Sequence, residues 1–295
     1  MKVKSIALAV TVIISLCTYA YPLDWRTLHE QADSTSLPAT LAEVEKNEDS
    51  LEALYVLALV YLNNHKDAEA GEIFKKILSL NPRTIEAQWG LAEVLRRKKK
   101  MKESEAVLNK IIKANPRFSP AYISLAYLKY TQTKFTEAVR LALKVQKQGR
   151  DKVDLSNYTR AYLIYAGAKG MIASRGGPLS KLVNGTAVLP NLKKAEKLQP
   201  ESVAVLFGLG SFYFLAPPIA GGNIDKALTY LAKAIKIDPL FADAYVRLAQ
   251  IYKAKKDMQK YQEYIEKALK IDPNNELALD AIGGVCKFSC VTVQE

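Results

Sequence analysis

The apolar and polar positions of one stretch, Ala242–Pro273, define the unit from which the chain is built. Apolar residues stand at positions 4, 7, 8 and 11 of this stretch, and again at 20, 24 and 27, before a proline at 32. Spacings of three and four place each set on one face of a helix, and the proline ends the second helix. The pattern predicts two helices joined by a turn. One such hairpin cannot bury its own apolar faces, so it needs neighbours on both sides.

Prolines recur along the chain at the same distance. Pro82 and Pro116 lie 34 residues apart, as do Pro239 and Pro273, and Pro200 continues the series at a longer interval. This period, with Tyr at position 4, Leu-Ala at positions 7 and 8 and Ala at position 27, resembles the tetratricopeptide repeat (TPR).

The resemblance implies an all-α fold, a right-handed solenoid of about six TPR-like helix-turn-helix repeats with a C-terminal capping helix. In the segment before the first repeat, the sequence predicts one helix, Leu37–Lys46. We also expect Trp25 to pack on the first repeat. The expected segments are a signal peptide at 1–20, an N-terminal cap segment at 21–50, repeats at 51–84, 85–118, 119–153, 154–202, 203–241 and 242–273, and a capping helix with a tail at 274–295.

Repeats four and five have enlarged turns between their helices. The first insertion runs from Ser174 to Thr186 and the second from Ala216 to Gly222. Both combine Gly-Gly with proline, which shapes a turn, and insertions in solenoids often gather on a binding face. Drift in loop length is the alternative explanation. The edge-loop residues selected on this basis are Arg175, Gly176, Gly177, Pro217, Pro218, Gly221 and Gly222.

The TPR resemblance also implies which side chains face the concave surface. Carried over to this chain, these positions predict an apolar, aromatic groove made of Tyr55, Leu59, Trp89, Ile123, Tyr127, Tyr130, Leu163, Phe207 and Phe214. The Lys, Arg and Asn residues that clamp a peptide carboxylate in some members are missing from these positions. A large apolar surface is either used or covered. Two alternatives follow: the groove binds a partner or ligand, or the N-terminal segment fills it.

The N-terminus predicts export. Lys2 and Lys4 precede a short apolar run, and Thr18-Tyr19-Ala20 offers a cleavage site, as in a secretory signal peptide. Lipid anchoring at Cys17 is less favoured, because the preceding Leu16 stands where a lipobox has a small residue. Near the C-terminus, Cys286 and Cys290 suit a small disulfide in an exported protein, or two reduced thiols.

The formal net charge is +12. Export argues against nucleic acid as the partner of this basic chain. The longest basic run, 96–100, is interpreted as a solvated turn of repeat two, with contact to an acidic partner or an anionic membrane surface as the alternative.

No motif in the sequence indicates catalysis, a cofactor or a metal site. HExxH, P-loop and nucleophile-elbow motifs are missing, and the two cysteines near the C-terminus have no nearby histidine. The expected function is therefore that of an exported, non-enzymatic scaffold that binds a protein or peptide through the aromatic groove.

A narrower resemblance gives the alternative function. The signal peptide, Arg175-Gly-Gly-Pro178 and the Ala216-Pro-Pro segment look similar to the T component of TRAP-type periplasmic transporters. That resemblance implies a protein that binds a small apolar ligand and works with a periplasmic binding protein.

Overall fold

The computed structural model describes residues 23–284 and residue 287. The proposed signal peptide, Cys17, Cys286 and Cys290 lie outside the described residues. The described part of the chain is all-α. Its helices are α1 (Trp25–Ser34), α2 (Leu37–Lys46), α3 (Leu51–Asn63), α4 (Asp67–Leu80), α5 (Ile85–Arg97), α6 (Met101–Ala114), α7 (Ser119–Thr131), α8 (Phe135–Gln148), α9 (Leu155–Arg175), α10 (Pro178–Gly185), α11 (Val188–Leu198), α12 (Val203–Leu215), α13 (Ile224–Ile237), α14 (Ala242–Ala254), α15 (Met258–Ile271) and α16 (Glu276–Gly283), with a 3₁₀ turn at Pro218–Ala220.

Six hairpins stack one on the next, which confirms the solenoid of TPR-like repeats. The hairpins pair α3 with α4, α5 with α6, α7 with α8, α9 with α11, α12 with α13, and α14 with α15. The second helix of each hairpin packs on the first helix of the following one. At the C-terminal end, α16 packs on α14 and α15 as a capping helix, with Asn275 accepting a hydrogen bond from the Ala278 amide at 2.9 Å.

The helices approach closely, both between and within hairpins, where the sequence supplies small residues. A Cβ atom added at Gly90 would lie 2.3 Å from the Phe74 ring, so the ring occupies the space that a side chain would need. In repeat five, Gly210 receives Leu231 in the same manner, at 2.7 Å from the virtual Cβ. Such contacts let the apolar faces merge into a continuous core along the stack.

The short turns inside repeats one, two, three and six share one geometry. Their middle residue has a left-handed backbone, with φ between 58° and 62° at His65, Lys99, Thr133 and Lys256. The next amide closes the turn by donating to a carbonyl five residues earlier, for example Lys100 to Leu95 at 2.9 Å. All four turns therefore use a non-glycine residue in a conformation that costs about 1–2 kcal/mol.

Two helices were not expected from the sequence. α1 precedes the predicted Leu37–Lys46 helix and packs on α3 and α9 rather than only on the first repeat. Its Trp25 ring contacts Phe118 at the end of repeat two, with centroids 5.4 Å apart. The second is α10, which occupies most of the insertion that the sequence suggested to be a loop and packs on α9.

Candidate functional site

Helix α1 covers the inner wall of the first two repeats. The buried His29 ring lies between Tyr55 and Trp89, with ring centroids 5.8 and 5.1 Å away. Asn157 Nδ2 donates to His29 Nδ1 at 3.2 Å, so His29 Nε2 carries the proton and donates to the Tyr55 hydroxyl at 2.8 Å. Burial lowers the pKa of His29, because the charged ring would be cut off from water. His29 is therefore a neutral, hydrogen-bonded side chain that fills the space between Tyr55 and Trp89, and we call it the His29 plug.

The residues expected to form an open aromatic groove are largely covered. The four buried members are Tyr55, Leu59, Trp89 and Ile123. The five half-buried members, packed against the core, are Tyr127, Tyr130, Leu163, Phe207 and Phe214. The four buried side chains are not available to a partner, and for Tyr55 and Trp89, whose rings pack on His29 of α1, the alternative of cover by the N-terminal segment holds. Partner binding through the half-buried five stays a prediction.

The two ends of the solenoid also meet. His65 Nε2, in the turn of repeat one, lies 2.9 Å from Asp238 Oδ2 at the end of α13. Lys99 Nζ, in the turn of repeat two, lies 3.8 Å from Asp272 Oδ2 at the end of α15. These contacts bring repeats one and two against repeats five and six.

The inner wall is more charged than the sequence suggested. Buried Glu93 accepts hydrogen bonds from Arg96 Nε and Nη2 at 3.0–3.3 Å. Burial alone would raise the pKa of Glu93, but Arg96, with Arg160 and Arg97, outweighs burial and lowers this pKa to about 2. Arg96 also stacks over the Tyr127 ring at 4.7 Å, and burial raises the pKa of Tyr127 to about 12.

The interpretation of 96–100 as one solvated turn is therefore wrong for its first two residues. Arg96 and Arg97 belong to α5 and face the inner wall, whereas Lys98, Lys99 and Lys100 form the turn. Arg97 donates to the Leu62 carbonyl and to Asp67 Oδ1, both at 2.9 Å.

Sequence reasoning missed two arginines of the inner wall, Arg160 on α9 and Arg247 on α14. Arg247 donates to Ser211 Oγ at 3.2 Å and to Gln250 Oε1 at 2.6 Å, and burial lowers its pKa to about 10. Arg160 lines a cavity of about 70 Å³ together with residues of α1, α3 and α5. The signal was available, because Arg160 stands near the start of the first helix of its repeat, where inner-wall residues recur.

The two enlarged turns lie on the outer edge, far less buried than the groove residues. In the first, Arg175 donates to the Lys287 carbonyl at 2.7 Å and lies over the Phe135 ring at 4.8 Å. Gly176 and Gly177 follow, and a Cβ at Gly176 would lie 2.3 Å from the Ser180 side chain. Gly177 is the N-cap of α10, with Pro178 as its first residue.

The second enlarged turn is shaped by its own glycines. Pro217 and Pro218 lead into the 3₁₀ turn, and Gly221 ends it with φ 95°. A Cβ at Gly222 would lie 1.9 Å from the Ala216 carbonyl oxygen, so a side chain has no room there. The turn is therefore a defined structure, and we call α10 and residues 216–222 together the insert edge.

Four apolar side chains of the insert edge point to solvent. Leu179, Leu182 and Val183 of α10 are 74%, 64% and 58% exposed, and their spacing of three and four puts them on one helix face. Ile219 is 98% exposed. An open depression of about 420 Å³ lies beside α10, between the turn of repeat three and Ile172, Arg175 and Ser180.

Comparisons with known proteins agree with this geometry. Family models described as tetratricopeptide repeat match residues 65–127 and 242–275. The chain contains tetratricopeptide repeats. The matches fall on the regular repeats, whereas the TPR units with enlarged turns, within 154–241, lie outside them.

Solved structures share the TPR fold at low identity. A chain of the APC/C hetero-tetramer Cut9-Hcn1 aligns at TM-score 0.56 and 17% identity, over 89% of this chain and 48% of that chain. A TPR protein from Parabacteroides merdae ATCC 43184 aligns at 0.53 and 16%, over 88% and 97%. A monomeric mutant of IFIT1 with Gppp-AAAA aligns at 0.57 and 17%, over 87% and 61%. At this identity the likeness concerns the fold alone, and this chain spans about half of the Cut9-Hcn1 chain. A search of curated proteins gave no match.

TPR units generally form non-enzymatic scaffolds for protein interactions. Within residues 23–284, no three His, Cys, Asp or Glu side chains converge as a metal site. In the same part of the chain, no helix has the length and apolar character needed to cross a bilayer.

Proposed function

We propose that this TPR protein is an exported, non-enzymatic scaffold that binds a protein partner through its insert edge. One observation carries the proposal: the insert edge presents four apolar side chains to solvent, whereas four of the nine expected groove residues are buried and the other five are half-buried. Surfaces of this kind, when contiguous and rimmed by polar groups, are typical of protein interaction sites. Export rests on the N-terminal sequence, which precedes the described residues.

The partner we propose carries an apolar patch with an acidic rim. Lysines recur along the same edge of the TPR stack: Lys134, Lys255 and Lys256 lie in turns, Lys181 lies in α10, and Lys226 lies in the first turn of α13. Basic groups around an apolar centre speed association with an acidic surface and select against basic partners. The depression beside α10 offers space for one anchoring side chain of the partner.

The small apolar ligand of the alternative function has less support. The inner cavity of about 70 Å³ is lined mainly by polar residues, and the larger depression is open to solvent. A cavity for an apolar ligand needs several hundred Å³ of largely apolar lining.

A binding experiment tests the proposal. Tagged protein is used to isolate a stoichiometric partner from an envelope extract of the source cells, and the purified pair is then measured by calorimetry. Leu179→Asp combined with Leu182→Asp is expected to weaken binding at least tenfold. Leu240→Asp is the matched control, because Leu240 is 51% exposed but lies between α13 and α14, on the opposite edge.

Unchanged affinity in the double variant would refute the insert edge as the binding surface. Equal loss in Leu240→Asp would also refute it, since general disturbance of the surface would then explain both results.

A further inference from the structure

The inner cavity lies where α1, α3, α5 and α9 meet. Its polar lining comes from His29 and Asp33 of α1, Asn63 of α3, Glu93 and Arg97 of α5, and Ser156, Asn157 and Arg160 of α9. Leu59, Leu62 and Trp89 form the apolar side. The volume of about 70 Å³ exceeds the 10–15 Å³ needed for one water, so the cavity has room for a small molecule of a few heavy atoms.

Both carboxylates of the lining are already engaged. Glu93 accepts the hydrogen bonds of Arg96, which neutralise it. Asp33 accepts hydrogen bonds from the Ser156 hydroxyl and, at 3.5 Å, from Asn63 Nδ2. Burial raises the pKa of Asp33, which favours its uncharged form. Neither carboxylate is therefore placed to neutralise a further cation.

Among the arginines at this cavity, Arg160 lacks a carboxylate partner in the described part of the chain. Arg96 has Glu93 and Arg97 has Asp67, whereas in residues 23–284 the Arg160 guanidinium has no carboxylate within 4.0 Å and donates no hydrogen bond. Burial lowers the pKa of Arg160, which reflects the cost of holding this charge away from water.

Two other groups of the lining also lack a partner. Arg97 Nε is a buried donor and Asn157 Oδ1 a buried acceptor, and neither makes a hydrogen bond to the residues that the structure describes. Buried polar groups are nearly always paired. Around this cavity, Arg160 and Arg97 offer donors without a partner, and Asn157 offers one acceptor without a partner. These groups fit a ligand that accepts several hydrogen bonds and donates one.

We infer that this cavity binds a small carboxylate, such as a two- or three-carbon 2-hydroxy acid, with Arg160 as the residue that holds the carboxylate. A planar guanidinium matches the two oxygens of a carboxylate. The negative charge would balance Arg160, and a hydroxyl on the ligand would donate to Asn157 Oδ1. Cavity volume limits the ligand to a few heavy atoms.

A fluorescence titration of the full chain with glycolate tests the inference. Trp89 lines the cavity, so Trp25→Phe protein reports binding through the remaining tryptophan. At constant ionic strength, glycolate is expected to give a saturable change, acetate a weaker one, and benzoate none, because its ring exceeds the cavity. Chloride and phosphate serve as anions without a carboxylate.

Arg160→Gln is expected to weaken glycolate binding at least tenfold, while Arg117→Gln, which changes an exposed arginine, stays within twofold. Arg160→Lys keeps the charge but loses the planar fork, so binding between these two values is expected. Circular dichroism establishes that each variant is folded; if Arg160→Gln is not, Arg160→Lys decides, with at least threefold weakening expected. A linear response to glycolate, an equal response to chloride, or unchanged binding in the deciding variant would overturn the inference.

Discussion

On the inner wall and at the insert edge, the solvent exposure of the side chains differs from what the sequence predicted, and it differs in opposite directions. Inner-wall positions carry Tyr55 and Trp89, which the TPR pattern places on an open concave surface, yet both are buried beneath α1. The insert edge was interpreted as shaped loops, yet it contains a helix with exposed Leu179 and Leu182. The comparison teaches that the local repeat defines which face a residue occupies, whereas the assembly of repeats decides whether that face meets water.

The largest effect is expected at the inner wall. Trp89→Ala removes a side chain that is 4% exposed, contacts His29 and donates from Nε1 to Ser124 Oγ at 2.9 Å. We expect the free energy of unfolding, measured by urea denaturation, to fall by about 3–5 kcal/mol. Phe214→Ala, at a half-buried position of the same wall, is the control and should lose clearly less. Equal losses of stability in the two variants would mean that the cover of α1 over Trp89 adds nothing to the stability of the inner wall.

The second prediction uses the pH dependence of the His29 plug. Because the pKa of folded His29 lies below its ordinary value of 6.5, the unfolded chain binds more protons as the pH falls. The contribution of His29 to stability is therefore complete above pH 6.5 and is lost as the pH falls through the folded pKa. The groups facing His29 are Asp154, Asp33 and Arg160, and burial of the charged ring outweighs the two carboxylates.

Urea denaturation between pH 8 and pH 5 measures this contribution. Wild-type protein should lose more stability across the range than His29→Gln, which keeps a donor for Tyr55 but does not titrate. The raised pKa of Asp33 gives a slope of the opposite sign, which both proteins share. His65→Gln is the control, because it removes the other histidine, whose contact with Asp238 lies away from α1, and it should leave the slope from His29 in place. The same slope in wild type and His29→Gln would exclude a neutral plug.

The sequence predicted the repeats well because their signals are local. Prolines, the apolar spacing and capping residues such as Asn275 act within one hairpin, and α2, at Leu37–Lys46, begins and ends where it was expected. The course of the whole stack was not predictable in this way. The contact between His65 and Asp238, which brings repeat one against repeat five, depends on the angles between successive hairpins, and the 34-residue period does not specify these angles.

The missed elements left weaker signals of their own. α1 begins after Asp24, whose carboxylate caps the helix, and its buried Leu28, His29 and Ala32 are spaced by one, three and four residues. α10 begins with Pro178 at its first position, a typical helix start. That Arg160 lacks a carboxylate partner could be recognised only in the assembled structure, because it depends on the pairing of Arg96 and Arg97 with the nearby carboxylates.

A smaller effect, in the stabilising direction, is expected in the regular turns. Thr133 has φ 60°, a left-handed conformation that a β-branched residue adopts at a cost, so Thr133→Gly should raise the free energy of unfolding by about 0.5–1 kcal/mol. Thr136→Gly is the control, because Thr136 lies in the first turn of α8, where glycine in place of threonine lowers stability by a few tenths of a kcal/mol. Urea denaturation of both variants measures the difference. A loss of stability in Thr133→Gly would show that the threonine side chain supports the turn.

The smallest effect on stability is expected at the insert edge, where the comparison with the inner wall is most direct. Leu182 is 64% exposed, and α10 has no buried residue, so replacing Leu182 removes little surface that folding shields from water. Leu182→Ser should change the free energy of unfolding by no more than about 0.5 kcal/mol, although leucine and serine differ greatly in hydrophobicity. Leu206→Ser is the matched control, because Leu206 is 1% exposed and should lose several kcal/mol by the same urea measurement. A comparable loss in Leu182→Ser would mean that α10 folds against the rest of the chain through this face, which would remove the apolar surface on which the proposed partner site rests.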